Sequence, residues 1–321
     1  MNYVQLKDIQ RARSRFPNWI RRTPIIPFSS DSSEVGKEKL FLKSENLQVT
    51  GAYKIRAAVT ILNSLTEEQL AKGVVLTSSG NFAQAFAYAG SCLGVKIVVV
   101  MLDRTSLYKV EATRAYGAEV VFCGTDALSR QPMVEKIAKD RGMTAIDTWE
   151  EPMATVGHGT IGLEILEDMS NLQVVLVPVS SGGVAAGISA AIKLSNPKVK
   201  VIGVQPEKAN AAFVSLQKGE PTAIDYWDTI ADGLSAVRPG FFPFRHLQKY
   251  LDEIILVSEI EIANAFSEIL YRSKVLSEPA GAVAAAAFLS KKIDTNLVTV
   301  ATVTGGNVTN EMVLKMKEML R

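Results

Sequence analysis

Short runs of Val, Ile and Leu alternate along the chain with longer stretches in which apolar residues recur every three or four positions. Unbroken apolar runs are the mark of strands buried on both faces of a parallel sheet, and the helical stretches between them supply the covering layers. The pattern predicts strands at Lys39–Ser44, Gly73–Ser78, Val95–Leu102, Ala118–Cys123, Val174–Val179, Val199–Val204 and Asn296–Val303. Helices are predicted over Lys54–Leu65, Asn81–Leu93, Leu107–Tyr116, Ala127–Lys139, Gly159–Asp168 and Gly183–Leu194, then Glu259–Ser273, Ala280–Lys291 and Asn307–Leu320. No internal repeat, low-complexity tract or Pro/Gly-rich linker interrupts the series. A second domain therefore has to be built by chain that leaves one sheet and returns to it. Residues 73–150 fit such an insert, leaving 1–72 and 151–321 to build the larger domain. The expected fold is α/β, with two three-layer α/β/α domains, mostly parallel sheets and a ligand cleft between them.

Composition narrows the field further. The 321 residues are 47% hydrophobic and 21% charged, which suits a folded chain of two domains. A net charge of +2 gives no electrostatic footprint for a nucleic acid or an anionic membrane, so neither partner is expected. Cys92 and Cys123 are too few for a disulfide framework, and with His158 and His246 as the only histidines no zinc site is expected. Both cysteines read as small core residues, His246 as a surface helix residue and Ala280–Ala287 as a buried helix. The charged N-terminal run and the short apolar stretches argue against a signal peptide or a membrane span. A cytoplasmic protein is the expectation.

Four strand-to-helix turns carry candidate chemistry, because a helix N-terminus exposes unpaired N–H groups. In VPVSSGGVAAG, Ser180, Ser181, Gly182 and Gly183 let backbone donors approach an anion such as a phosphate at the positive end of a helix. Val184 stands where a dinucleotide fingerprint would need its second Gly, and no Walker lysine follows. A plain tight turn would use the same residues. In LTSSGNFAQ, Ser78, Ser79, Gly80 and Asn81 could grip a carboxylate or simply cap a helix. In TGAYKIRAA, Lys54 falls in the first turn of a helix, where a cation is disfavoured and its pKa is drawn down, as an amine nucleophile requires. A solvated lysine is the plainer alternative. In TVTGGNVTN, Thr304 ends the last strand and could offer a hydroxyl. A phosphate loop, an amine, a carboxylate loop and a hydroxyl together make a parts list for pyridoxal 5'-phosphate acting on an amino acid.

The ordered segments SENLQVTGAYKIRAA, SSGNFAQ, KVEATRAYGAEVV, GTIGLEIL, PVSSGGVAAG, TIADGLSAVRPG, SEPAGAVA and TVTGGN resemble the pyridoxal-phosphate-dependent serine/threonine dehydratases and serine racemases. These are fold type II enzymes, similar to the tryptophan synthase β chain. The likeness runs from RRTPI at Arg21–Ile25 nearly to the end of the chain. It implies that Lys54 bonds the cofactor aldehyde and later takes the substrate α-proton. It places Tyr53, usually Phe, against the cofactor ring, Asn81 at the ring 3-oxygen, and Thr304, usually Ser or Cys, at the pyridine nitrogen. Ser180, Ser181, Gly182, Gly183 and Val184 would surround the phosphate, two serines replacing glycines. Glu278 would lie near the cofactor, and Ser78, Ser79 and Asn81 would hold the substrate carboxylate.

A neutral hydroxyl at the ring nitrogen makes a weak electron sink, so the resemblance favours β-elimination, in which charge leaves with the β-substituent. The implied reaction is dehydration of a 3-hydroxy amino acid, threonine or serine, to a 2-oxo acid and ammonia. Alternatives are a serine racemase, using Ser79 across the ring from Lys54, and a dehydratase of another substrate such as 3-hydroxyaspartate. A β-replacement transferase and a cofactor-binding protein without turnover stay open as further classes. Several positions depart from the family pattern. Phe82 replaces the usual His, His158 the usual Gln, and Asp147–Glu151 differs from the family's stretch there. Gln205 and Ala211 stand at two carboxylate positions of a divalent-cation site, so no metal is expected, although Glu207 lies nearby. His158 itself reads as packed against backbone near a helix start. Seventeen residues follow Thr304, too few for a regulatory domain, and control by isoleucine is not expected. A homodimer is the family expectation.

Overall fold

In the computed structural model residues 1–29 and 36–321 are described. The strands are β1 (Ile25–Phe28), β2 (Leu40–Ser44), β3 (Val74–Thr77), β4 (Ile97–Met101) and β5 (Glu119–Phe122), then β6 (Thr144–Ile146), β7 (Val174–Pro178), β8 (Lys200–Pro206), β9 (Glu253–Val257) and β10 (Thr299–Val303). Six form one sheet in the order β1-β2-β10-β7-β8-β9, and four form another in the order β5-β4-β3-β6. Only the edge pair β1–β2 runs antiparallel among the described strand pairs. The second sheet lies wholly between Val74 and Ile146 in sequence.

The helices are α1 (Leu6–Ser14), α2 (Lys54–Leu62), α3 (Glu67–Lys72), α4 (Asn81–Leu93), α5 (Leu107–Ala115), α6 (Arg130–Arg141) and α7 (Pro152–Asp168). They continue as α8 (Gly183–Ser195), α9 (Ala211–Lys218), α10 (Phe241–Tyr250), α11 (Glu259–Ser273), α12 (Pro279–Leu289) and α13 (Asn310–Glu318).

Both sheets are covered on both faces, and the period-2 geometry of a strand decides which core each residue joins. Val174, Leu176, Ile202, Val204 and Ala301 face α11 and α12, while their neighbours Val175, Val177, Val201 and Val300 face α7 and α8. In the smaller sheet Leu76, Val99 and Met101 pack under α2 and α4, and Val75, Val98 and Val100 pack on α6. Unbroken apolar strands are the consequence of having no solvent face.

The observed elements are mostly shorter than the hydrophobic runs, and seven were not predicted. β1, β6 and β9 are edge strands, and α1, α3, α9 and α10 are short helices of six to ten residues, too brief for a clear periodic stripe. The largest shift is in α7, which begins at Pro152 rather than Gly159, with the Glu151 side chain accepting from the Met153 N–H as its cap. The glycines taken as a boundary serve close helix packing instead. A Cβ on Gly157 would lie 2.7 Å from the Arg56 carbonyl oxygen, and one on Gly187 of α8 would lie 2.3 Å from that of Thr155.

Two residues sit opposite to expectation. His246 is fully buried, its Nε2 accepting from the Val4 N–H and its Nδ1 paired with the Phe242 carbonyl. PFRHLQKY looks polar, but His246 falls on the stripe of α10 that meets α8 and the N-terminal segment. Cys92 is exposed near the end of α4, whereas Cys123 is buried as expected. Ala280–Ala287 is buried throughout, as expected. No helix among the described residues is long and apolar enough to cross a membrane.

Candidate active site

The four turns singled out in the sequence leave the C-terminal ends of parallel strands, and hydrogen bonds tie three of them together. Tyr53 donates its N–H to the Thr304 carbonyl at 3.1 Å, and Gly306 donates to that of Gly51 at 2.9 Å. Glu278 donates its N–H to the Gly305 carbonyl at 2.9 Å. Asn81, at the start of α4 on the smaller sheet, donates Nδ2 to Glu278 Oε1 at 2.8 Å and accepts at Oδ1 from Asn307 Nδ2 at 2.8 Å. Asn307 also donates to the Thr50 carbonyl at 2.9 Å. The Asn81 side chain thus reaches out to the larger sheet instead of capping α4, whose cap position is Gly80. Gly51, at φ +70°, allows this approach, since a Cβ there would meet Asn307 Oδ1 at 2.3 Å.

Lys54 is the first residue of α2 and half-buried. Its Nζ lies 4.5 Å from the Tyr53 ring centroid and 4.8 Å from that of Phe82. Burial draws its pKa down to about 8, with the Glu278 carboxyl opposing the shift. The same compartment acts in reverse on Glu278, buried at 8% exposure, whose pKa is pushed up to about 8 by burial and by Asp232. Near neutral pH the site therefore holds an amine that gives up its proton readily and a carboxyl that keeps one.

The SSGG turn enters α8 through Gly182 at φ +102°, with Gly183 the first helical residue. The N–H groups of the first turn of α8 point out of the helix end with no partner within it. Ser180 Oγ accepts from the Ala236 N–H at 3.3 Å, and the Ser181 carbonyl accepts from the Gly240 N–H at 2.9 Å, so the 236–240 loop braces the turn. Val184 is buried behind it, and Thr304 is buried at the end of β10. Ser78 and Ser79 are half-buried at the end of β3, where Ser78 Oγ accepts from the Gly80 N–H.

His158 lies in the seventh position of α7, next to this compartment, not near a helix start. Its ring centroid is 4.6 Å from that of Tyr53.

Sequence reading missed the support beneath the lysine. Arg56, two residues further along α2, is fully buried and forked onto two carboxylates. Its Nε and Nη2 each meet Glu45 at 2.8 Å, and Nη1 and Nη2 meet Glu164 at 2.6 and 2.9 Å. Lys43 completes the set, donating to Glu164 Oε2 at 2.6 Å and the Thr23 carbonyl at 2.7 Å. A lysine inside LFLKS and an arginine inside an apolar helix were the available signals. Asn307 was likewise missed.

Two surface hollows, of about 220 Å³ beside Leu62, Leu70 and Leu93 and about 300 Å³ beside Asp225 and Trp227, lie away from these turns. Neither gathers groups able to act on a ligand. Gln205 Oε1 accepts from the Phe213 N–H at 3.0 Å, and among the described residues no cluster of three or more His, Cys, Asp or Glu is placed to hold a metal.

A parallel α/β fold that sets an amine of lowered pKa at the turn after one strand and the free N–H groups of α8 at the turn after another suits an enzyme that binds a phosphorylated carbonyl cofactor. A family model described as pyridoxal-phosphate dependent enzyme matches residues 17–305, and the chain belongs to that family. It is 40% identical to the catabolic L-threonine dehydratase of Staphylococcus aureus over 309 residues, 95% of this chain and 89% of the relative. It superposes on the serine racemase of Dictyostelium discoideum with a TM-score of 0.88 at 35% identity, covering 95% of this chain and 99% of that one. For the processed threonine deaminase isoform 2 of Solanum lycopersicum the TM-score is 0.90 at 30% identity, covering 98% and 86%. The cofactor is pyridoxal phosphate, and the residues present fit it. The compartment beside Lys54 has a helix end for the phosphate, an aromatic wall in Tyr53 and a buried polar atom, His158 Nδ1, left without a partner.

Proposed function

We propose that the chain is an L-threonine/L-serine dehydratase, an ammonia-lyase that converts the 3-hydroxy amino acid to a 2-oxo acid and ammonia. The observation that carries this reading is the Lys54 amine, its pKa drawn to about 8, between the Tyr53 and Phe82 rings and beside the buried Glu278. The relatives named for threonine dehydration support it. Bound pyridoxal phosphate supplies an aldehyde for the substrate nitrogen and a ring that draws electron density from Cα.

The chain's own residues account for the rest. The first-turn N–H groups of α8 and the Ser180–Val184 turn hold the phosphate. Lys54 Nζ, whose pKa of about 8 leaves a minor but ready fraction as the free amine near neutral pH, accepts the α-proton. Loss of that proton and of the β-hydroxyl, followed by hydrolysis, gives the 2-oxo acid and ammonia with no oxidant required. Ser78, Ser79 and Asn81 hold the substrate carboxylate, and Asn81 is fixed for the task by Glu278 and Asn307. Glu278, keeping its proton, adds no second negative charge beside that carboxylate.

The same proposal assigns residues 73–150 as the substrate-binding lobe, because the carboxylate loop leaves β3. It also includes a cytoplasmic homodimer, the latter open to sedimentation analysis. Incubating the purified protein with L-threonine, L-serine and 3-hydroxyaspartate, and measuring 2-oxo acid, ammonia and D-isomer, tests the activity. Ammonia and 2-oxo acid from threonine or serine are expected. D-serine formed faster than ammonia makes the chain a racemase using Ser79, and turnover of 3-hydroxyaspartate alone reassigns the substrate.

A further inference from the structure

One buried polar atom in the site is used by none of the chemistry above. His158 is 1% exposed, and its Nδ1 has no hydrogen-bond partner. The ring stands 4.6 Å from Tyr53 and 6.2 Å from Phe82, centroid to centroid. Its Cδ2–Nε2 edge faces the start of α8, where a Cβ built on Gly183 would lie 3.6 Å from Cδ2 and 4.0 Å from Nε2. The imidazole is therefore walled in by the two rings that flank Lys54 and by the helix end suited to the phosphate.

A buried polar atom without a partner costs free energy, and native structures rarely leave one empty. The molecule's other histidine shows the ordinary solution, since both nitrogens of His246 are paired within the protein. His158 differs: no protein group pairs with its Nδ1, and it is the opposite, Cδ2–Nε2 edge of the ring that turns toward the start of α8. Burial first, and then the charges of Lys54 and Arg56, hold its pKa well below the usual histidine value. It stays neutral, with one nitrogen to donate and one to accept.

We propose that His158 is a ligand-contacting residue whose imidazole hydrogen-bonds the pyridoxal phosphate held between Lys54 and the N-terminal end of α8, gripping the cofactor from the α7 side. The inference rests on the chain's membership of the pyridoxal-phosphate family.

The test is equilibrium binding of pyridoxal phosphate to the full-length protein stripped of cofactor. His158→Phe, which keeps a planar ring, is expected to bind about tenfold more weakly, and His158→Gln, which keeps a hydrogen-bonding side chain, to stay within about threefold of the parent. Thermal unfolding of each protein without cofactor reads packing damage separately. Unchanged affinity in His158→Phe overturns the proposal, as does an equal loss in both variants. On the unsubstituted protein, ¹⁵N-histidine spectra are expected to show the His158 nitrogens shifting on cofactor addition while those of His246 stay put. His158 signals that do not move, with binding intact, overturn it. Failure of the parent protein to bind pyridoxal phosphate at all overturns the underlying reading and the proposal together.

Discussion

Lys54 and Arg56 are cations two residues apart on the same helix, and their surroundings could hardly differ more. Arg56 is fully buried, yet its guanidinium meets two carboxylates and the Thr160 hydroxyl. Burial works against its charge, but Glu45 and Glu164 outweigh it and hold the pKa above the usual value. Glu164 is held below its own usual value, since Arg56 and Lys43 outweigh its burial. Lys54 has no carboxylate in contact, and burial draws its pKa down to about 8. The paired cation anchors α2 against the turn after β2 and against α7, and the unpaired one is left free to react. Satisfied charge marks support, and unsatisfied charge marks chemistry.

Replacing either cation should break this contrast in opposite ways. Lys54→Ala is expected to lower turnover by about a thousandfold or more. The cofactor-free protein should at the same time gain about 1–3 kcal/mol at neutral pH, because an unpaired buried amine has gone. Rates with saturating cofactor and urea unfolding without it measure the two effects. Arg56→Met should instead cost about 3–5 kcal/mol, leaving Glu45 without its fork and Glu164 with Lys43 alone. A stable Arg56→Met protein would show that the network does not anchor α2.

Acidity sharpens the same comparison. Glu278 keeps a proton in the fold up to about pH 8 but gives it up near 4.5 when unfolded. Its contribution is full below 4.5 and is lost as pH rises to about 8, with a slope of up to about 1.4 kcal/mol per pH unit. Lys54 acts in the next window. Between pH 8 and 10.5 the unfolded chain binds the extra proton, so stability rises with pH there. These two groups together put a minimum near pH 8 in the stability of the cofactor-free protein. Urea midpoints across pH should show Glu278→Gln removing the fall below pH 8 and Lys54→Ala the rise above it. The smallest effect belongs to exposed pairs. Lys136→Ala, which removes the exposed Lys136–Asp140 ion pair on α6, should leave the urea midpoint essentially unchanged.

Much of this was legible in the chain because two-faced burial leaves unbroken apolar strands, and helix-opening turns are local in sequence. Lys54 and the Ser180–Gly183 turn could be picked out on those grounds alone. The Arg56 network could not, since Lys43, Glu45, Arg56 and Glu164 are scattered and charge pairing across 121 positions leaves no periodic trace. Asn81 reads locally as a helix cap, and only the tertiary fold turns it toward Glu278. His158 looked like packing near a helix start because the glycines beside it imitate a boundary, whereas they let α7 press on α2 and α8.

The central claim is that Lys54 is the amine that bonds the cofactor. Treating the holoenzyme with borohydride, digesting it and mapping the peptides by mass spectrometry tests this directly. The account predicts a single pyridoxyl-phosphate adduct on the peptide containing Tyr53 and Lys54. An adduct on any other lysine, with Lys54 unmodified, would contradict it.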